Sequence, residues 1–152
     1  MYRDYKCAEI NEKLVGKTIK VAGWVSSIRD HGSVEFIDLR DDSGVLQIVG
    51  REDKLKNISK ESTVCAEGIL KKRAPELINK KIKTGEYELE ISSIKVLGKC
   101  APLPFEVNDS REVKEELRLK YRFLDLRNNL NNKIVKFRSE ILHFLRNKMY
   151  DL

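Results

Sequence analysis

The sequence predicts a mainly β protein: five strands in a small barrel, then a helical hinge and a C-terminal amphipathic helix. Three observations carry this. Runs of β-forming residues recur five times in the first 97 positions, separated by turn signals. One stretch with period-three apolar spacing falls between the third and fourth runs. From residue 131 the apolar period becomes helical.

The first run, Lys17 to Ser26, sets Ile19, Val21 and Val25 at alternate positions around Gly23. Val34 to Arg40 forms the second strand. Ser43-Gly44 marks a turn, and Val45 to Val49 forms the third. Between Glu52 and Ser59, Leu55 and Ile58 stand three apart, as on one or two helical turns. Thr63 to Lys71 and Glu86 to Val96 complete the set. In the last, Tyr87, Leu89 and Ile91 alternate with Glu86, Glu88, Glu90 and Ser92. Strand-strand-strand-helix-strand-strand is the order of a five-stranded OB-fold barrel; a generic small barrel or sandwich with five strands is the competing architecture.

Residues 1–97 are read as the barrel, 98–130 as linker and hinge, and 131–152 as the start of a further domain. Gly98 to Ser110 holds Pro102 and Pro104 and has no period. Glu112 to Arg127 is charged and helical. Asn131 to Met149 places Ile134, Phe137, Ile141, Leu145 and Met149 on one stripe. The segment after the barrel is too short to supply a second core, so the chain is read as a fragment. Without partners the last helix is expected to fray, fold back on the barrel or pair with another copy, leaving the chain monomeric or weakly self-associating through 131–149.

Composition narrows the class. Of 152 residues, 41% are apolar and 36% charged, and the net charge is +6, which suits a polyanionic partner without requiring one. No stretch approaches the roughly 20 apolar residues of a membrane span, and the N-terminus lacks the apolar segment of a signal peptide. Cys7, Cys65 and Cys100 are odd in number with no CxxC pair, which points to free thiols and a cytoplasmic setting.

Catalytic patterns are missing: GxxxxGK[ST], GxGxxG, HExxH and GxSxG do not occur. His31 and His143 are expected to be solvated side chains, and the Glu86, Glu88, Glu90 row a solvated strand face with no further ligands for a metal. Binding signals are stronger. From Lys71 to Lys83, six cations (Lys71, Lys72, Arg73, Lys80, Lys81, Lys83) stand against Glu76, a local net charge of +5. They lie on the end of the fourth strand and in the loop to the fifth, which in an OB-fold flanks the oligonucleotide groove, where lysines follow phosphates. A solubilising loop would look the same on charge alone. Alternation adds a second pointer. With Ile37, Leu39, Leu46 and Ile48 inward, Phe36 and Gln47 face out near Arg29. A ring or guanidinium stacks an unpaired base, and an amide reads its Watson–Crick edge.

Particular motifs then carry a resemblance. Gly23-Trp24-Val25, Arg29-Asp30-His31-Gly32, Phe36 to Asp41, Gly44 and Gln47 resemble the anticodon-binding domain of bacterial-type aspartyl-tRNA synthetases. Thr84 to Glu88 resembles the start of that domain's fifth strand, and Glu116 to Arg127 the hinge of class IIb synthetases. The resemblance implies that Phe36 and Arg29 stack and hold the central bases of the GUC anticodon of aspartate tRNA. It implies that Gln47 hydrogen-bonds the middle uracil, that Arg73 and Glu88 contact the third base, and that Asn79 is a further contact beside the phosphate-tracking Lys71, Lys80 and Lys81. Ser26, Ser27 and Ile28 stand where family members often carry arginines, so the Lys71 to Lys83 loop is left to carry more of the affinity. The parent would be a homodimeric ligase using ATP and Mg2+. This chain carries no metal ligands or cofactor of its own and is expected to be inactive alone. A free-standing single-strand-binding OB module, or a piece of an asparaginyl or lysyl relative, is the alternative.

Overall fold

A computed structural model describes residues 2–32, 34–51, 55 and 58–151. The strands are β1 (Thr18–Asp30), β2 (Val34–Arg40), β3 (Val45–Arg51), β4 (Thr63–Lys72) and β5 (Tyr87–Gly98). They close in the order β1-β2-β3-β5-β4, with β4 returning to β1. Among the described residues only β3 and β5 run parallel. The five-stranded OB-fold is therefore the observed architecture. The expected helix at Glu52 to Ser59 lies largely outside the described residues. Leu55 is buried, and Ile58 packs on the same core.

Alternation explains the closure. Ile28, Ile37, Ile48, Leu89 and Leu70 are successive cross-strand partners around the barrel. All but Ile28 are fully covered, with Val21, Val25, Leu39, Leu46 and Val64 beside them. Full burial of each such side chain contributes about 1.5–3 kcal/mol. The first strand runs to Asp30, four residues beyond the predicted end. Ser26 to Asp30 lacks an apolar alternation, yet it pairs with β2 after a register shift between Val25 and Ser27. Pairing supplied by the neighbour extends a strand that composition would stop.

The turn after β2 is held by Asp41. Its carboxylate accepts from the Cys7 amide at 2.9 Å, the Ser43 amide and hydroxyl at 2.7 Å each, and the Gly44 amide at 3.0 Å. Burial pushes this carboxyl up, but these donors outweigh it and hold it below the usual range. Burial beside Asp41 pushes the Cys7 thiol up to about 12.

The chain divides into two compact units, Met1–Ala101 and Pro102–Leu152. The second holds α1 (Glu115–Lys120), α2 (Arg122–Asp125) and α3 (Asn129–Tyr150). It corrects one expectation. Phe105 and Val107 are buried with Leu124, and Leu103, Val113, Leu117 and Tyr121 pack around them. So this short segment does supply a small core. Its polar centre is Asp125, fully buried. Arg118 donates to it at 3.1 Å, Arg122 pairs with it, and the Asn131 amide donates at 2.8 Å. Burial pushes its carboxyl up, yet Arg118 and the other donors hold it below the usual range. Asn128 caps α3 through the Leu130 amide at 3.0 Å. The helix runs continuously for 22 residues, and none of them is buried. Among the described residues no helix is long and apolar enough to cross a membrane.

Candidate nucleic-acid interface

Residues on either side of the core row face outward, and the register aligns them. One row crosses the barrel as Arg29, Phe36, Val49, Glu90 and Ile69. The next runs Ser27, Asp38, Gln47, Glu88 and Lys71. Two residues apart on one strand means one face, so both rows point outward, and only members on adjacent strands of the closed barrel lie side by side. Pairing sets Phe36 beside Arg29, and Glu88 between Gln47 and Lys71, and Arg73 reaches Gln47 and Glu88 from just beyond β4.

The turn between β1 and β2 builds one end of this surface. Asp30 accepts from the Gly32 amide at 2.7 Å, and Gly32 sits at φ +82°, where a side chain would strain the turn. This sets His31 edge-on to Phe36, with ring centroids 5.4 Å apart and planes at 88°. Phe36 itself is half-buried. Arg29 lies across from it, its guanidinium donating to Asp38 at 2.8 Å. Ser27 donates to the other Asp38 oxygen at 2.6 Å. Asp38 and His31 lie in the quoted motifs but were given no role as site residues. Asp38 shares the outward parity of Phe36, whereas the contact of His31 depends on the turn.

Gln47 departs from expectation. Its backbone position faces outward as predicted, but the residue is only 3% exposed. Arg73 lies over it and donates from Nη1 to Gln47 Oε1 at 2.8 Å. Arg73 Nε is 3.5 Å from Glu88 Oε2, and the Arg73 side chain is 10% exposed. A side chain pointing out of a barrel is still covered when a neighbour folds across it.

The basic segment is also less uniform than its count. Lys71 pairs with Glu90 at 2.5 Å and Lys72 with Glu12 at 3.1 Å, and Arg73 is held as above. Of the β5 glutamates, Glu90 answers Lys71 on β4 and Glu88 answers Arg73 just beyond it. Lys80, Lys81 and Lys83 are exposed and make no ion pair among the described residues. Asn79 accepts from the Lys81 amide at 3.0 Å, so its carbonyl oxygen serves the turn that carries these lysines. The base of the loop is pinned by the Thr84 hydroxyl on the Val45 carbonyl and by the Asn79 amide on the Gly85 carbonyl at 3.1 Å. A Cβ at Gly85 would fall 1.9 Å from the Asn79 oxygen, so only glycine allows that approach.

A family model described as an OB-fold nucleic acid binding domain, of the tRNA anticodon type, matches residues 19–97. Over 155 aligned residues, covering 99% of this chain, the chain is 41% identical to the aspartate–tRNA(Asp/Asn) ligase of Roseobacter denitrificans. It is 40% identical over 153 residues, 97% of the chain, to the aspartate–tRNA ligase of Streptomyces avermitilis. It spans 26% of the length of each. The asparaginyl-tRNA synthetase of Pyrococcus horikoshii, solved with asparaginyl-adenylate, superposes over 99% of this chain and 35% of its own, with a TM-score of 0.81 at 25% identity. Barrel order, outward rows and family match agree, and the chain belongs to the tRNA-anticodon family of OB-fold nucleic acid binding domains.

Proposed function

We propose that this chain selects tRNA by reading the GUC anticodon of aspartate tRNA, as part of an aspartate–tRNA ligase. The observation that supports this best is the alignment of Arg29, Phe36, Gln47 and Glu88 on adjacent outward rows, with Arg73 folded across them. Support also comes from relatives named as aspartate–tRNA ligases along almost the whole chain.

Lys80 and Lys81 attract the phosphates, with Lys71 and Asn79 at the edges of the loop. A splayed base stacks on Phe36, whose ring is steadied by His31 and flanked by the Arg29 guanidinium. Gln47 meets the middle uracil. Glu88 accepts from the amino group of the third base, a cytosine.

ATP and Mg2+ belong to the proposed parent ligase. Among the described residues no group of three or more His, Cys, Asp or Glu side chains is placed to hold a metal ion. No step of aminoacylation is assigned to this chain. A cytoplasmic parent suits three free cysteines, and a homodimeric parent suits the uncovered α3.

The test is binding to anticodon stem-loops at fixed salt, one carrying GUC and one with the middle uracil replaced by adenine. A tenfold or larger preference for GUC is expected. Equal, salt-sensitive binding overturns the reading and leaves a barrel that holds RNA by charge. Phe36→Ala should weaken GUC binding by about 1–3 kcal/mol, and an unchanged affinity removes Phe36 from the site.

A further inference from the structure

We infer that Arg73 is a positioning residue that fixes which end of the Gln47 amide meets the base, so that the middle subsite accepts uracil and rejects cytosine. This rests on the anticodon reading above and deepens it.

An amide is ambivalent. Its oxygen accepts and its nitrogen donates, and a free glutamine can present either end. Uracil and cytosine differ in that respect: at position 4, uracil carries an acceptor oxygen and cytosine a donor amino group. An unrestrained Gln47 would therefore serve both bases by turning over.

The surroundings remove that freedom. A guanidinium has donors only. With Arg73 Nη1 at 2.8 Å, the group facing it must be the Gln47 carbonyl oxygen. Turning the amide over would bring donor against donor in a place with little water, since Gln47 is 3% exposed and the Arg73 side chain 10%. Arg73 is itself anchored by a backbone hydrogen bond and by an ion pair that is not a hydrogen bond. Its amide donates to the Glu86 carbonyl at 2.8 Å, and its Nε lies 3.5 Å from Glu88 Oε2. Glu88 is the cross-strand partner of Gln47. The run Glu88, Arg73, Gln47 thus sets one polarity, and the amide nitrogen is the end turned away from Arg73. The Gln47 side chain makes no other hydrogen bond among the described residues. Uracil O4 accepts from that nitrogen; the cytosine amino group meets it donor to donor.

This changes what Arg73 does in the site. The resemblance gives it to the third base, yet its Nη1 is bonded to Gln47 and its Nε faces Glu88. Its effect is expected at the middle base.

The experiment compares stem-loops GUC and GCC at fixed salt, with the unaltered chain, Arg73→Met and Gln47→Glu, each checked for folding by thermal melting. The unaltered chain should favour uracil by about tenfold. Arg73→Met should bring that ratio to within about twofold of unity, whatever it does to overall affinity. Gln47→Glu should reverse the preference, because one carboxylate oxygen stays on Arg73 and the other accepts from the cytosine amino group. An undiminished ratio in Arg73→Met, with both affinities lowered equally, overturns the inference; so does a uracil preference kept by Gln47→Glu. Should Arg73→Met fail to fold, Gln47→Glu decides alone. If the unaltered chain holds both loops equally, it is the anticodon reading that fails.

Discussion

The barrel and the helical unit meet the demands of an apolar face differently. In the barrel, each inward residue of one strand finds another across the ladder, so Ile37, Ile48, Leu89 and Leu70 are fully covered. In α3 the apolar stripe is as regular, yet Phe137 is 64% exposed and Met149 76%. Their buried carboxylates differ too. Asp41 is satisfied mainly by main-chain amides of a turn, Asp125 by arginine and asparagine side chains from neighbouring helices. A sheet that closes on itself supplies its own partners. A helix has to be given one, and periodicity does not say whether it exists.

The sharpest way to break the comparison is to hollow the barrel. Leu39→Ala should lower its stability by about 2–5 kcal/mol, read as an earlier urea midpoint, because a closed wall cannot collapse onto the void. A loss below about 1 kcal/mol would mean that the wall is looser than its burial indicates. In the helical unit, Asp125→Asn should cost about 2–3 kcal/mol, under the range for fully enclosed pairs because Arg122 is 49% exposed. Faster amide exchange across 117–127, with the strands unchanged, is the expected signature; unchanged exchange would show that the small apolar cluster holds the unit alone.

Titration sharpens the contrast further. The Asp41 carboxyl is depressed in the fold, so its stabilisation is present above about pH 4 and is lost as pH falls through the folded value. Asp41→Asn should flatten that acid limb. The Cys7 thiol is raised from 9.0 to about 12, so stability is full below 9 and falls as pH rises between those values. Cys7→Ala should abolish that alkaline fall. A persistent fall would assign it to another group.

The smallest effect concerns charge. Replacing Lys80 and Lys81 by alanine should reduce the salt slope of RNA binding by about 1.4, with all sequences affected alike. A loss confined to one anticodon would make them reading residues.

Much of this protein was legible from alternation. Ile37 and Leu39 inward with Phe36 outward follows from a period of two, which sterics impose on any strand. The turn at Ser43-Gly44 and the stripe on Asn131 to Met149 were readable for similarly local reasons. The end of β1 was not, since Ser27 and Arg29 are ordered by Asp38 on the neighbouring strand. Nor was the cluster of Phe105, Val107 and Leu124, whose members have no period because they come from a loop and a short helix.

The candidate site divides in the same way. Sequence by itself determined which residues face outward and that a basic loop stands near them, because strand parity and composition are properties of neighbours along the chain. Tertiary structure decided that Arg73 covers Gln47, that Glu88 holds Arg73, and that three of the six loop cations are already answered by carboxylates or an amide. Those contacts join β3, β4 and β5 with the segments beside them. Their geometry exists only once the barrel has closed.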